Sequence, residues 1–146
     1  MSRRWLIDSD IASEWVKPRP DPGVVRWLDE VDEDRIFLSA ISLAEIRFGV
    51  ERLAPGRRRT RLDAWLREEL PARFERRIVP VDGEVADACG HLLARVLEAG
   101  RGLGAMDALI AAACVACDLV LATRNLADFD GLGIALHVLR PTASLG

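Results

Sequence analysis

Several residue types are scarce in this 146-residue chain: cysteine occurs three times, histidine twice and lysine once. An odd set of cysteines argues against a disulfide framework and for a reduced, cytoplasmic setting. Cys114 and Cys117 have CxxC spacing, but no second pair exists and both fall in an alanine-rich run, so small thiols packed inside a helix are expected. His91 and His137 lie far apart in sequence, which disfavours a histidine metal site. No apolar run approaches the ~20 residues of a membrane span. The run Trp5-Leu6-Ile7 stops at Asp8, too soon for a signal peptide. Net charge of one sign is also missing. The 20 basic and 23 acidic residues leave −3, unlike a protein that coats duplex nucleic acid non-specifically. With no repeat, low-complexity tract or linker, residues 1–146 are expected to form a single domain. A chain of this length buries about 70% of its unfolded surface, enough for a core without disulfides or structural metal.

What is present alternates. Short apolar runs occur at Trp5-Leu6-Ile7, Ile36-Phe37-Leu38, Ile78-Val79-Pro80-Val81, Leu119-Val120-Leu121-Ala122 and Ile134-Ala135-Leu136-His137-Val138-Leu139. They are apolar on both alternating faces, as strands covered on both sides are. Between them lie helical patterns. Leu43, Ile46, Val50 and Leu53 form one helix stripe, and Leu62, Trp65, Leu66 and Leu70 form another. Residues 84–99 carry Val85, Ala88, Cys89, Leu92, Leu93 and Val96, and residues 105–117 are apolar nearly all round, so that helix should be central. Strands alternating with helices imply right-handed crossovers. The fold expected is α/β: a three-layer α/β/α domain with a mostly parallel central sheet of about five strands.

Charge is unevenly placed. Residues 21–34 hold six acids and one arginine, whereas residues 52–77 hold nine arginines against four acids, including the run Arg57-Arg58-Arg59. That segment is either a solvated face pairing with Asp63, Glu68 and Glu69 or a patch facing phosphate.

The position of certain acids is more informative. Asp8 ends the first strand, and in an open parallel sheet ligands bind beyond the carboxyl ends of strands. Ser9 and Asp10 are equal candidates to cap the following helix, which leaves Asp8 in excess of structural need. Glu45 follows the second strand. Ser42-x-x-Glu45 spells a capping box with Glu45 as its third residue, yet Glu45 also falls at the same sheet edge as Asp8. Asp107 opens the otherwise uncharged helix after Gly104, where an acid complements the helix dipole but is costly on a buried helix unless paired or bound to a cation. Asn125 and Asp128 follow the fourth strand and reach for the same edge, or else cap a short turn. Acids drawn together from distant positions make sense around a hard divalent cation. Mg²⁺ binds oxygen ligands and serves metal-assisted phosphodiester hydrolysis with water as nucleophile.

Four stretches carry a family resemblance: Leu6-Ile7-Asp8-Ser9-Asp10-Ile11, the segment from Leu38 to Val50 around Glu45, Met106-Asp107-Ala108-Leu109-Ile110-Ala111-Ala112, and the segment from Ala122 to Phe129. In this order and spacing they resemble PIN-domain ribonucleases, and more narrowly the VapC-type toxins of bacterial toxin–antitoxin pairs. The resemblance implies that Asp8, Glu45 and Asp107 hold Mg²⁺ or Mn²⁺, with Asn125 where the family often has a further acid and Asp128 as a substitute. It also implies a homodimer, a cognate VapB-type antitoxin and an RNA substrate. Trp15, Trp27, Phe48 and Trp65 are candidates for interface anchors, with core packing the expected fate of at least two. Two alternatives stand beside this one. The first is a catalytically inactive PIN-like module that only binds a partner or nucleic acid. The second is a phosphatase of the haloacid-dehalogenase type, with Asp8 of Asp8-Ser9-Asp10 as covalent nucleophile. The chain is short for that second fold, and its only lysine, Lys17, lies too near the start.

Overall fold

Each apolar run becomes a strand, and each helical pattern returns the chain to the start of the next. In the computed structural model, which describes residues 3–139, the order is β1 (Trp5–Ile7), α1 (Ser9–Ser13), α2 (Pro22–Glu30), β2 (Ile36–Ser39), α3 (Ala40–Glu51), α4 (Arg57–Ala64), α5 (Leu70–Phe74), β3 (Ile78–Val79), α6 (Gly83–Glu98), α7 (Ala105–Cys117), β4 (Val120–Thr123), α8 (Leu126–Phe129) and β5 (Leu136–Val138). The five strands pair in parallel throughout, in the order β3-β2-β1-β4-β5. β1 is central, with Leu6 opposite Phe37 on one side and Leu121 on the other. The chain steps outward from β1 through β2 to β3, then returns to the far side of β1 to lay down β4. The crevice between the carboxyl ends of β1 and β4 is therefore the topological switch point, where open parallel sheets bind ligands.

Alternate side chains of each strand enter opposite layers. Leu6 and Leu121 join Val85, Cys89, Leu92, Ile110 and Cys114 beneath α6 and α7. Ile7, Leu38 and Ala122 join Ile46, Val50, Trp65, Leu70 and Phe74 on the other face. Leu6, Ile7, Leu38 and Leu121 are wholly buried, each contributing about 1.5–3 kcal/mol relative to exposure. α7 is buried on most sides, as its composition predicts, and its Cys114 and Cys117 are free thiols. Burial pushes the Cys114 thiol up to about 12, so it is a packing group. Among the described residues no helix is long and apolar enough to cross a membrane.

Between α4 and α5 the chain forms a π-helical turn over Trp65–Glu69. Pro71, in the first turn of α5, accounts for it. The ring has no N–H to donate and crowds the carbonyl four residues back, so the preceding turn widens instead of breaking. The aromatics divide accordingly. Trp65 is buried, Trp15 and Trp27 pack half-buried against the same core, and Phe48 stands 62% exposed.

Of the nine arginines in residues 52–77, Arg59, Arg67 and Arg73 pair with carboxylates. Arg47 and Arg67 both pair with Asp63, at 2.7 and 3.3 Å, and Arg59 pairs with Glu51 at 2.7 Å. Arg58 instead lines a cleft beside α3. A second network closes the sheet edge. Arg124, just past β4, reaches Asp10 at 2.7 Å, Glu14 at 2.7 Å and Asp21 at 3.3 Å. Glu14 is only 2% exposed. Burial alone would raise its pKa, but the Lys17 ammonium, the Asp21 N–H and the Arg124 guanidinium together pull it down to about 2. These bonds strap the α1 region to the end of β4.

Because the folded pKa of Glu14 lies below its ordinary value of 4.5, the stabilisation it confers is complete above about pH 4.5 and drains away as pH falls toward 2. Chemical denaturation across pH 2–7 should show this slope in the wild type and a shallower one in Glu14→Gln. At pH 7 the variant should be less stable by about 2 kcal/mol, the usual worth of hydrogen bonds to a charged group. Superimposable pH profiles for the two proteins would refute the assignment.

Candidate functional site

The acids are placed by the ends of strands and the first turns of helices. Asp8 is the residue after β1, in extended conformation, and it is itself the N-cap of α1: its Oδ1 accepts the Ile11 N–H at 3.0 Å. The expectation that Ser9 or Asp10 caps this helix and leaves Asp8 spare is therefore corrected. Asp8 does both jobs, because a carboxylate has two oxygens. Its Oδ2 accepts the Thr123 hydroxyl at 2.6 Å, a bond that spans the switch-point crevice from β1 to β4. Thr123 Oγ1 in turn accepts the Asn125 N–H at 2.9 Å. Thr123 is wholly buried.

The capping box is also corrected. The cap of α3 is Ser39, whose Oγ accepts the Ile41 N–H at 3.0 Å. Ser39 ends β2 and caps the helix at once, three residues before Ser42. Glu45 therefore lies beyond the first turn with no capping duty. Its Oε1 accepts the Ser9 hydroxyl at 3.3 Å, which joins α3 to α1. Ser42 is wholly buried, and its Oγ has no hydrogen-bond partner.

Asp107 sits in the first turn of α7, after Gly104, which contributes no side-chain cap. Among the described residues Asp107 has no hydrogen-bond or ion-pair partner, and Glu45 has only Ser9. Unlike Asp10, Glu14, Asp21 and Asp63, which are ion-paired, Asp8, Glu45 and Asp107 have no salt-bridge partner among the described residues. Their charges act on one another. Burial pushes Glu45 above its ordinary range, and the charges of Asp107 and Asp8 push it further against the pull of Ser9. Burial likewise raises Asp107, with Asp128 adding to it. Asp8 is raised by burial against the Thr123 and Ile11 hydrogen bonds.

Asn125 precedes α8, and its amide donates to Asp128 Oδ2. Asp128 is exposed and stands on the Asp107 side of the group. The structure thus brings Asp8, Glu45 and Asp107 to one edge, with Asn125 joined to Asp8 through Thr123 and Asp128 adjoining Asp107. Among the described residues no three acidic, imidazole or thiol groups close to the spacing of a complete metal-holding set. A cleft of about 340 Å³ runs from Glu45 between α1, α3 and α4, with Ile46, Leu53 and Trp65 as apolar wall and Arg58 at its rim. It adjoins the acids without containing Asp8 or Asp107.

Thr123 and Ser9 were not singled out from sequence. Both orient a carboxylate from a distant segment, 115 and 36 residues away, and only a hydroxyl beside an acid-bearing motif hinted at either.

A parallel α/β/α domain with unpaired acids at its switch point defines the class. The PIN domain family model matches residues 5–132, and the chain belongs to that family. It is similar to "VapC ribonuclease Y4jK" of Sinorhizobium fredii, with 33% identity over 93% of this chain and 96% of the relative. It is also similar to "Toxin FitB" of Neisseria gonorrhoeae, with 33% identity over 90% and 94%. Among solved structures, "Crystal Structure of FitAcB from Neisseria gonorrhoeae" superposes with a TM-score of 0.84 at 32% identity, covering 90% of this chain and 95% of that one.

Stability separates acids that serve the fold from acids that tax it. Asp8→Ala should cost at least about 1 kcal/mol from the lost cap and strand the Thr123 hydroxyl; Asp8→Asn, which keeps a capping oxygen, should cost less. Asp107→Asn should leave the melting temperature unchanged or higher, since it removes a partly buried charge beside like charges; a marked drop would make Asp107 a structural cap. Ser42→Ala, by removing an unpartnered buried hydroxyl, should be neutral or stabilising by about 1 kcal/mol.

Proposed function

We propose that this chain is a metal-dependent endoribonuclease, the toxin of a toxin–antitoxin pair, and that residues 1–146 form one nuclease domain acting on RNA in the cytoplasm. The observation that carries the proposal is that Asp8, Glu45 and Asp107 come to one sheet edge at the switch point, close enough for Asp8 and Asp107 to act on Glu45, with no salt-bridge partner among the described residues. Burial raises the proton affinity of all three carboxylates, and the charges of Asp8 and Asp107 raise that of Glu45 further, an arrangement that costs stability unless a cation offsets it. The names of the relatives support it: besides the VapC ribonuclease and FitB, the chain is 25% identical to "tRNA(fMet)-specific endonuclease VapC" of Salmonella typhimurium over 87% of its length.

The donor set suits Mg²⁺ or Mn²⁺, which take carboxylate oxygens and complete their shell with waters and substrate phosphate instead of requiring an all-protein cage. Asp8, Glu45 and Asp107 would hold the ion. Once bound, it would supply Lewis acidity and a water acidic enough to attack phosphorus near neutral pH. The chain's own residues do the rest. Thr123 and the Ile11 N–H fix both oxygens of Asp8, so that its orientation is set before substrate arrives. Ser9 holds Glu45 toward α1. The Asn125 amide, next to Asp128, offers an uncharged hydrogen-bonding group where a further acid would add repulsion. Arg58, at the mouth of the cleft beside Glu45, is placed for a substrate phosphate, whereas Arg59 is engaged by Glu51.

A cognate VapB-type antitoxin and homodimerisation are part of the same proposal. The antitoxin is supported by the likeness to FitAcB and to "Structure of FitAB bound to IR36 DNA fragment", which superposes with a TM-score of 0.85 at 30% identity.

Purified protein should cleave structured RNAs with Mg²⁺ or Mn²⁺ and not with EDTA, and Asp8→Asn, Glu45→Gln and Asp107→Asn should each lose at least about 100-fold in rate, the scale of removing one group that stabilises transition-state charge. Cleavage that persists in EDTA or in Asp8→Asn would end the metal assignment. RNA binding without cleavage of any substrate would favour the inactive binding module. Arg58→Glu should weaken RNA binding more than Arg59→Glu; equal effects would return the arginine run to a solvated face.

A further inference from the structure

A second cleft, of about 260 Å³, lies on the other flank of the acids, between the C-terminal end of α6 and the loop that follows α8. Two guanidinium groups meet the segment Gly131-Leu132-Gly133 there. Arg95 donates from Nη2 to the Leu132 carbonyl at 3.4 Å. Arg101 lies over Gly131, where a Cβ would come within 2.6 Å of its Nη1. Gly131 has φ +78° and Gly133 φ +75°, so both glycines permit the turn, and Gly131 also leaves the space that Arg101 occupies. Bringing two like charges to one short loop is unfavourable unless something offsets them. Among the described residues neither Arg95 nor Arg101 has a carboxylate partner, and the two share one cleft and one turn.

The cleft adjoins the acidic edge through the chain itself. Arg101 begins the loop that enters α7 and leads to Asp107, and Gly131 follows α8, which carries Asp128. We infer that Arg95 and Arg101, seated on the Gly131-Leu132-Gly133 turn, form a phosphate subsite that holds the backbone of single-stranded RNA to one side of the acidic centre. Two planar forks with free N–H donors suit phosphodiester oxygens. Arg58, on the Glu45 side, flanks the acids from the opposite direction, so the strand runs across the carboxylates between cationic ends. This inference rests on the ribonuclease proposal for its ligand class.

The test is fluorescence anisotropy with a labelled single-stranded RNA, in EDTA and again in Mg²⁺, over a salt series. Each phosphate neutralised on a single strand contributes a slope of about −0.7 in log affinity against log salt. Arg95→Ala/Arg101→Ala should therefore flatten the slope by about 1.4 and lower affinity at low salt at least several-fold, while Arg95→Lys/Arg101→Lys keeps most of the slope. A control with the same charge loss elsewhere, Arg26→Ala/Arg76→Ala, should change it little. Equal flattening in control and test variants, or an unchanged slope in the test variant, overturns the subsite and leaves the ribonuclease proposal standing. Loss of inorganic phosphate binding in calorimetry without any change in the RNA slope would make this a small-anion site and overturn the RNA assignment. Absence of RNA binding by the wild type in both buffers overturns the ribonuclease proposal and the subsite together. Thermal melts of each variant confirm that the fold is retained.

Discussion

The hydrogen bond from Thr123 to Asp8 closes the crevice around which the rest of the molecule is arranged. It joins the ends of the two strands between which the chain reverses its direction of travel across the sheet. It also holds a carboxylate that burial disfavours. One oxygen of that carboxylate starts α1, and the other is fixed by β4. A residue that strains the electrostatics of the edge is thereby also one that builds it, so the side chain cannot be truncated without disturbing the turn.

Charge is sorted accordingly. Arginines and acids are matched most fully where Arg124 gathers Asp10, Glu14 and Asp21. This network straps the segment after β1 to the segment after β4 and absorbs acids that would otherwise crowd Asp8. Glu45 and Asp107 lie outside that network, as do Arg95 and Arg101. On the proposed reading, a hard cation and a polyanion would be the complementary occupants of this edge, each relieving repulsion that the other's site carries alone.

The scaffold explains why the site is precise despite being made from remote residues. Asp8, Ser39 and Thr123 are consecutive with, or part of, buried parallel strands. Glu45 and Asp107 sit on long helices packed against the sheet, and α7 is anchored by alanines small enough to approach it closely. Side chains borne on strands and helices are held better than side chains on loops. Asn125, just before a four-residue helix, and Asp128, on it, are the looser members of the group.

The strand runs, the period of α3 and α6, and the uniformly apolar character of α7 were all legible along the chain, because strand and helix periodicity is a local property of consecutive side chains. So was the clustering of Asp8, Glu45 and Asp107 at one edge, since each follows a strand or opens a helix in a parallel arrangement. Local patterns misplaced the caps. Ser42-x-x-Glu45 satisfies the capping-box pattern, but the sheet delivers β2 so that the helix is capped three residues earlier, at Ser39. The bond from Thr123 to Asp8 and the pairing of some arginines but not others were decided only by the tertiary structure. Those outcomes depend on which distant groups the fold brings within about 3 Å, and one-dimensional spacing contains no information about such distances.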